Sequence, residues 1–560
     1  MTTSASNVPG RSSSEEPRVR RRRRATRPAT QPAASPSAET PRTVASRFII
    51  LALCLAVILS ALAFGTVHSW SLAIFHAGAG FVLVAWAADA WRTRRLRLSR
   101  NPLQLPLLGL VAVGVAQLLP LGATPANDAA LGAAAARALS LDPFTTRLVV
   151  VQIASLVVYF AAALAFVDSP RRLRLLARVL MIFGFALAIF SMAQFFVSPD
   201  KIFGVRETTQ SLGFGPFINR HHFAGYMELA LALPLGFLFG GAVERDKRFI
   251  YAFLSMIMAL GIVLTNSRGG ILSLAAEIMF VLIVSAGIRR GGAEEGGERE
   301  GRGVRLRRVA ARAVLGFVLI VAFFLGAIFF GGEGALSRFV GTVNADDPTT
   351  GRVEFWRATA HMIRDHPVTG VGLGAFGVAY SRYDQGNGRV YRLEQAHNDY
   401  LQIVSDAGVA GALLALAFVA LLFRAGFRRM DSRDAQRRGV ALGALTGCFA
   451  VLVHSFFDFT LHTTANALLF LMLAALATLG SRVEQPTRKR RRKTADLPRE
   501  FDAGAASPRE TGADAHAPAA AARVPDPSSP LVMAEPAPAT PKEPAAGVSG
   551  DAQDILDLGA

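Results

Sequence analysis

Four groups of residues in this chain gather the side chains that do chemistry. The first is Asn219-Arg220-His221-His222-Phe223-Ala224-Gly225-Tyr226, and the second is Thr265-Asn266-Ser267-Arg268-Gly269-Gly270. The third runs from Gly351-Arg352-Val353-Glu354-Phe355-Trp356 to Ala396-His397-Asn398-Asp399-Tyr400-Leu401. The fourth is His454-Ser455-Phe456-Phe457-Asp458-Phe459-Thr460-Leu461-His462. Arginine keeps its charge and grips phosphate oxygens with a planar fork. Histidine exchanges a proton near neutral pH. The pair suits a reaction in which a hydroxyl gives up a proton while an anionic group departs.

Each group also has a plainer reading. A single arginine at a helix end, such as Arg268, often only snorkels to an interface. Here Gly269 and Gly270 open the next helix, so exposed amides and a cation sit together, an arrangement suited to an anionic oxygen. At the third group, Asn398 or Asp399 suits a helix N-cap better than histidine does, which leaves His397 for function. His454, Asp458 and His462 recur every four residues and would share one face of a continuous helix. That spacing resembles a metal-ligand pattern, but a hydrogen-bonded hairpin tip accounts for it better, and no metal is expected. Glu228 and Glu277 are carboxylates inside apolar runs, where such groups pair or line cavities.

The elements that carry these groups are membrane helices. Of 560 residues, 52% are hydrophobic and 18% charged, which excludes an ordinary soluble protein. Apolar runs long enough to cross a bilayer alternate with arginine-rich breaks. The spans fall near 47–67, 71–90, 103–120, 147–167, 173–197, 222–241, 249–265, 270–288, 311–331, 399–423, 439–459 and 463–480. The expected fold is an all-α polytopic membrane protein of about twelve helices, with a large outer loop at 332–398. Residues 1–46 and 481–560 are poor in large apolar side chains and are expected to be disordered tails. Helices one to nine occupy 47–331 and the last three 399–480. Cys54 and Cys448 both lie in apolar runs, so no disulfide framework is available.

The net charge of +19 would point to nucleic acid in a soluble protein, but here the basic residues punctuate the spans and set topology. Five arginines fall in 92–100, three in 171–174, eight in 289–312 and six in 424–438. All lie on the side of the N-terminus. The short loops 68–70 and 460–462 carry no Lys or Arg, and 266–269 carries only Arg268. Both termini are therefore expected in the cytoplasm, and all four chemical groups at the opposite, outer ends of helices. A polyprenyl-linked substrate fits that placement: its tail stays in the bilayer, its pyrophosphate lies at the headgroup level, and its sugar projects outward.

The order, spacing and shared sidedness of these motifs over roughly 47–480 resemble the O-antigen ligase and polymerase superfamily. The resemblance implies a GT-C-like inner-membrane glycosyltransferase. It would move a glycan from undecaprenyl pyrophosphate to an acceptor hydroxyl on the periplasmic side, with no cofactor. It implies that His397 is the general base and that Arg220 and Arg268 hold the pyrophosphate, with Arg352 a further candidate. His222, Asn398, Asp399, His454 and Asp458 would support them, and His221 departs from the family pattern. The superfamily includes ligases that join O-antigen to lipid A-core in lipopolysaccharide, exopolysaccharide or lipid-linked polymerases, and protein O-oligosaccharyltransferases. A transporter or flippase of lipid-linked sugars is the competing expectation. It would place its site near the midplane, at broken helices of repeated halves, and no internal repeat is evident.

Overall fold

The computed structural model describes residues 43–121, 138–207, 213–287, 310, 352–384, 393–480 and 483–484. Most of each expected tail, the span at 311–331 and parts of the 332–398 loop lie outside these residues. The first helices are α1 (Val44–Leu62), α2 (Ser69–Thr93), α3 (Gln104–Gln117), α4 (Pro143–Phe166) and α5 (Pro170–Val197). A two-stranded antiparallel hairpin follows, β1 (Lys201–Ile202) with β2 (Arg206–Glu207), pairing Lys201 with Glu207. Then come α6 (Arg220–Gly240), α7 (Arg248–Leu264), α8 (Arg268–Gly287), α9 (Arg352–Asp365) and α10 (Phe376–Tyr380). The chain closes with α11 (Asp399–Met430), α12 (Ala435–His454) and α13 (Thr464–Thr478).

Among the described residues, 8 helices are long and apolar enough to cross a membrane: α1, α2, α4, α5, α6, α7 with the turn before it, α8 and α11. The protein is a multi-pass membrane protein. Three further expected spans are also helical, but α3 and α13 have only 14 and 15 residues, and α12 begins with two buried arginines. The helix starts follow from local chemistry. Asp142 and Ser169 each precede a proline at the first helical position, where its missing N–H costs nothing. Asn219 and Asn398 cap α6 and α11 with their side chains.

α6 is buried nearly all round, its polar His222 and Glu228 included. It lies against α12 through small residues. A Cβ on Gly236 would fall 2.2 Å from the Gly443 nitrogen, so only glycine lets the backbones approach this closely. Arg437 is fully buried, and its guanidinium donates to the carbonyls of Leu476, Ala477 and Leu479 at 2.9–3.0 Å. It thus satisfies orphan acceptors at the end of α13. Across the same end, buried Asp89 receives Arg97 at 3.0 Å, and Arg97 also reaches Asp168 at 3.0 Å.

α11 is interrupted at Gly408, whose φ of 61° and ψ of −162° are not helical. The turn after α9 fills the break: Val371 N donates to Ser405 O at 2.8 Å, Gly372 N to Asp406 O at 3.1 Å, and Val409 N to Pro367 O at 2.8 Å. Gln117 at the end of α3 donates to Thr369 O and Asp406 O and accepts from Leu373 N. The freed backbone groups of α11 are therefore re-satisfied from protein. This fixes the turn after α9 against α11, the helix that begins two residues after His397.

Candidate active site

His397 sits immediately before the start of α11 with a φ of 49°, in the left-handed region where a non-glycine residue costs energy unless its surroundings hold it there. They do so from both sides. Ala396 N donates to Gln402 Oε1 at 2.6 Å, Trp356 Nε1 of α9 donates to Ala396 O at 3.1 Å, and Asp399 N donates to Ser455 O at 2.9 Å. Asn398 is the cap, with its Oδ1 accepting from the nitrogens of Tyr400 and Leu401.

The imidazole of His397 lies with Nδ1 3.2 Å from Asp458 Oδ1. Its side chain is 30% exposed while that of Asp458 is 2% exposed, so the histidine can meet a substrate and the carboxylate acts through it. Burial works against ionised Asp458, but the hydrogen bond from His397, with His222 and His221 nearby, outweighs it and holds the carboxyl below its usual range. An ionised partner on Nδ1 favours the tautomer that leaves Nε2 as acceptor.

The other groups converge through Phe459. Its ring lies 4.9 Å from the His397 ring and 4.8 Å from the His222 ring, edge-on to both. His222 belongs to the first turn of α6, two residues after Arg220. In the same turn, His221 Nδ1 lies 2.8 Å from Ser267 Oγ, which also accepts from Gly270 N at 3.1 Å and so caps α8. The N-termini of α6 and α8 are thereby bonded to each other, with Arg220 and Arg268 as their first residues. Arg352 opens α9, whose Phe355 and Trp356 pack and bond around His397.

The fourth group departs from its expected geometry. α12 stops at His454, so His454, Asp458 and His462 do not share a helical face. Each instead meets a different partner. His454 Nδ1 lies 2.9 Å from Glu228 Oε1, with both side chains fully buried. Asp458 meets His397, and His462 Nδ1 lies 2.8 Å from Asp399 Oδ1. Asp399 Oδ2 also accepts from Ser455 Oγ at 2.7 Å and from Leu461 N at 3.2 Å. Burial opposes a charged His462, but the Asp399 hydrogen bond and the Asp399 and Asp406 charges raise its pKa above the ordinary value. Among the described residues, no three His, Cys, Asp or Glu side chains group as metal ligands. Glu228 stood out in sequence as a carboxylate in an apolar run; its partner, and the roles of Trp356, Phe459 and Ser267, did not.

Residues 253–416 match the family model described as O-antigen ligase. Over this segment the chain is similar to the O-antigen ligase family. None of the curated proteins matches the chain. The O-antigen ligase segment covers α7 to the middle of α11, and with them Arg268, Arg352, His397, Asn398 and Asp399. Arg220, His222, Glu228, His454 and Asp458 lie outside it, yet contribute the carboxylates and the helix terminus that complete the cluster. The family is one of membrane-embedded, ligase- or polymerase-type enzymes, and the mostly helical architecture agrees with it.

Proposed function

We propose that this protein is a glycosyltransferase that moves a glycan from a polyprenyl pyrophosphate, undecaprenyl pyrophosphate by family likeness, to an acceptor hydroxyl at the outer face of the bacterial inner membrane. The observation that carries this reading is the partly exposed His397–Asp458 pair one aromatic ring away from two bonded helix N-termini that begin with Arg220 and Arg268. In the reaction, Nε2 of His397 accepts the acceptor's hydroxyl proton as that oxygen bonds to the anomeric carbon. The bond between that carbon and the pyrophosphate oxygen breaks with its electron pair. The departing oxygens gain negative charge, which the guanidinium groups and the helix amides stabilise. Asp458 stabilises the imidazolium and orients it.

The arginine-rich loops at the opposite helix ends support an outer position for the site. A glycan or lipid A-core hydroxyl is the acceptor that fits the reading. The decisive experiment uses purified protein in proteoliposomes with a polyprenyl-pyrophosphate glycan and a candidate acceptor. Transfer without any nucleotide sugar is expected. Movement of the lipid-linked sugar between leaflets with no transfer to any acceptor would instead make the protein a flippase.

A further inference from the structure

A groove of about 550 Å³ runs between α1 and α2, with Tyr159 of α4 at its floor. Its walls are hydrocarbon: Leu51, Leu55 and Leu59 on one side, Ile74 and Phe81 on the other. The few hydroxyls along it are already bonded to backbone carbonyls. Ser60 donates to Val57 O at 3.0 Å, Thr66 to Ser60 O at 2.9 Å, Ser71 to His68 O at 2.8 Å and Tyr159 to Phe75 O at 2.9 Å. An occupant is thus offered apolar surface by polar as well as apolar residues, which selects a hydrocarbon chain.

One end of the groove abuts the site. Thr66 lines it, and the neighbouring Gly65 accepts from Ala465 N at 3.2 Å. A Cβ on Gly65 would lie 3.0 Å from the Phe217 ring and 3.2 Å from Thr463. Phe217 precedes the cap of α6 by two residues, and Thr463 follows His462. At this same end, Arg206 lies over Phe64 at 5.1 Å and within 2.7 Å of His68 Nε2, while Phe64 meets the groove-lining Trp70 edge-on at 6.2 Å. An apolar channel therefore ends beneath a guanidinium and an imidazole, the sequence of environments that an amphiphile with an anionic head requires.

We propose that the α1–α2 groove holds the isoprenoid tail of the lipid-linked donor, next to its head; this inference rests on the donor class proposed above. The groove takes the first few isoprene units of the tail, and at its upper end the Arg206 guanidinium matches an anionic head, while Gly65 packs on Phe217, two residues before the cap of the helix that begins with Arg220. Ala52 and Ala56 are small, partly buried groove residues, so phenylalanine there would fill the space.

The test compares donors with a full-length tail and with a tail of a single isoprene unit, too short to reach Ala52 and Ala56, using wild-type protein and the Ala52→Phe and Ala56→Phe variants in proteoliposomes. KM for the long-tail donor should rise by ~10-fold, the effect of about two methylenes lost from burial, while KM for the short-tail donor stays unchanged. Should either variant fold poorly, Leu55→Trp fills the groove from its exposed wall. A photoreactive long-chain isoprenyl pyrophosphate should label α1 and α2 in wild type but not in the filled variants. Equal changes for both donors, no change, or labelling displaced by phospholipid and not by isoprenoid would overturn the proposal. If wild type transfers neither donor but is labelled in the groove, the transfer reading fails and the tail site stands.

Discussion

Asp458 lies 61 residues beyond His397 in the chain, yet its Oδ1 sits 3.2 Å from the His397 Nδ1. Replacing His397 by Ala should lower glycan transfer by ~10²–10⁴-fold, the usual contribution of a positioned proton acceptor. Donor binding should persist. Asp458→Asn should also reduce transfer, because an amide no longer stabilises the imidazolium or enforces its tautomer. Transfer rates on purified protein, with donor binding measured separately, check both. Full activity in His397→Ala would remove it as the base.

Arg220 and Arg268 are assigned to the departing pyrophosphate, so Arg220→Ala and Arg268→Ala should weaken donor binding as well as transfer. Lysine at either position should rescue poorly, since it keeps the charge and loses the two-pronged geometry. Titration of each variant with a polyprenyl pyrophosphate reads the effect directly. Rescue by lysine to wild-type level would show that charge alone suffices.

Glu228 and His454 bury their charge-bearing groups together, with no exposure of either side chain. Glu228→Ala would leave the imidazole unpaired between α6 and α12, and a cost of ~3–5 kcal/mol is expected for removing one partner of such a pair. The melting temperature in detergent should fall clearly. Glu228→Gln, which keeps a hydrogen-bond acceptor, should cost less.

His462 gives the stability a predictable pH dependence. Its folded pKa is raised by Asp399, so the stabilisation is fully present below the ordinary histidine value of about 6.5 and is lost as the pH rises through the elevated folded value. The side chain is 34% exposed, so solvent screening keeps the effect modest. Melting temperatures of wild type should decline across that window, and those of His462→Gln should decline less. An unchanged slope in the variant would assign the dependence elsewhere.

Sidedness can be tested with single cysteines in a background lacking Cys54 and Cys448. Cysteines replacing the exposed Val368 and Phe456 should react with an impermeant thiol reagent added outside intact cells, and ones replacing Arg95 and Arg245 should not. The reverse pattern would put the site in the cytoplasm.

The sequence by itself determined the membrane class and the place of the eight long apolar helices found among the described residues, and it set an expected sidedness, because hydropathy and loop charge act locally and are read along the chain. It also offered Asn398 or Asp399 as a cap, and Asn398 is the one that holds the start of α11, because a short polar side chain reaches only its own first turn. It marked His397, Arg220 and Arg268 as reactive types at helix ends. What it did not determine was pairing. The four-residue spacing of His454, Asp458 and His462 pointed to one helical face, but α12 ends at His454, and each residue bonds a carboxylate or imidazole from a different element. Such partners are chosen by where the helices come to rest, and that depends on close packing such as Gly236 against Gly443. Only the tertiary structure could decide it, because a hydrogen bond across 226 residues between His454 and Glu228 leaves no periodicity in the sequence.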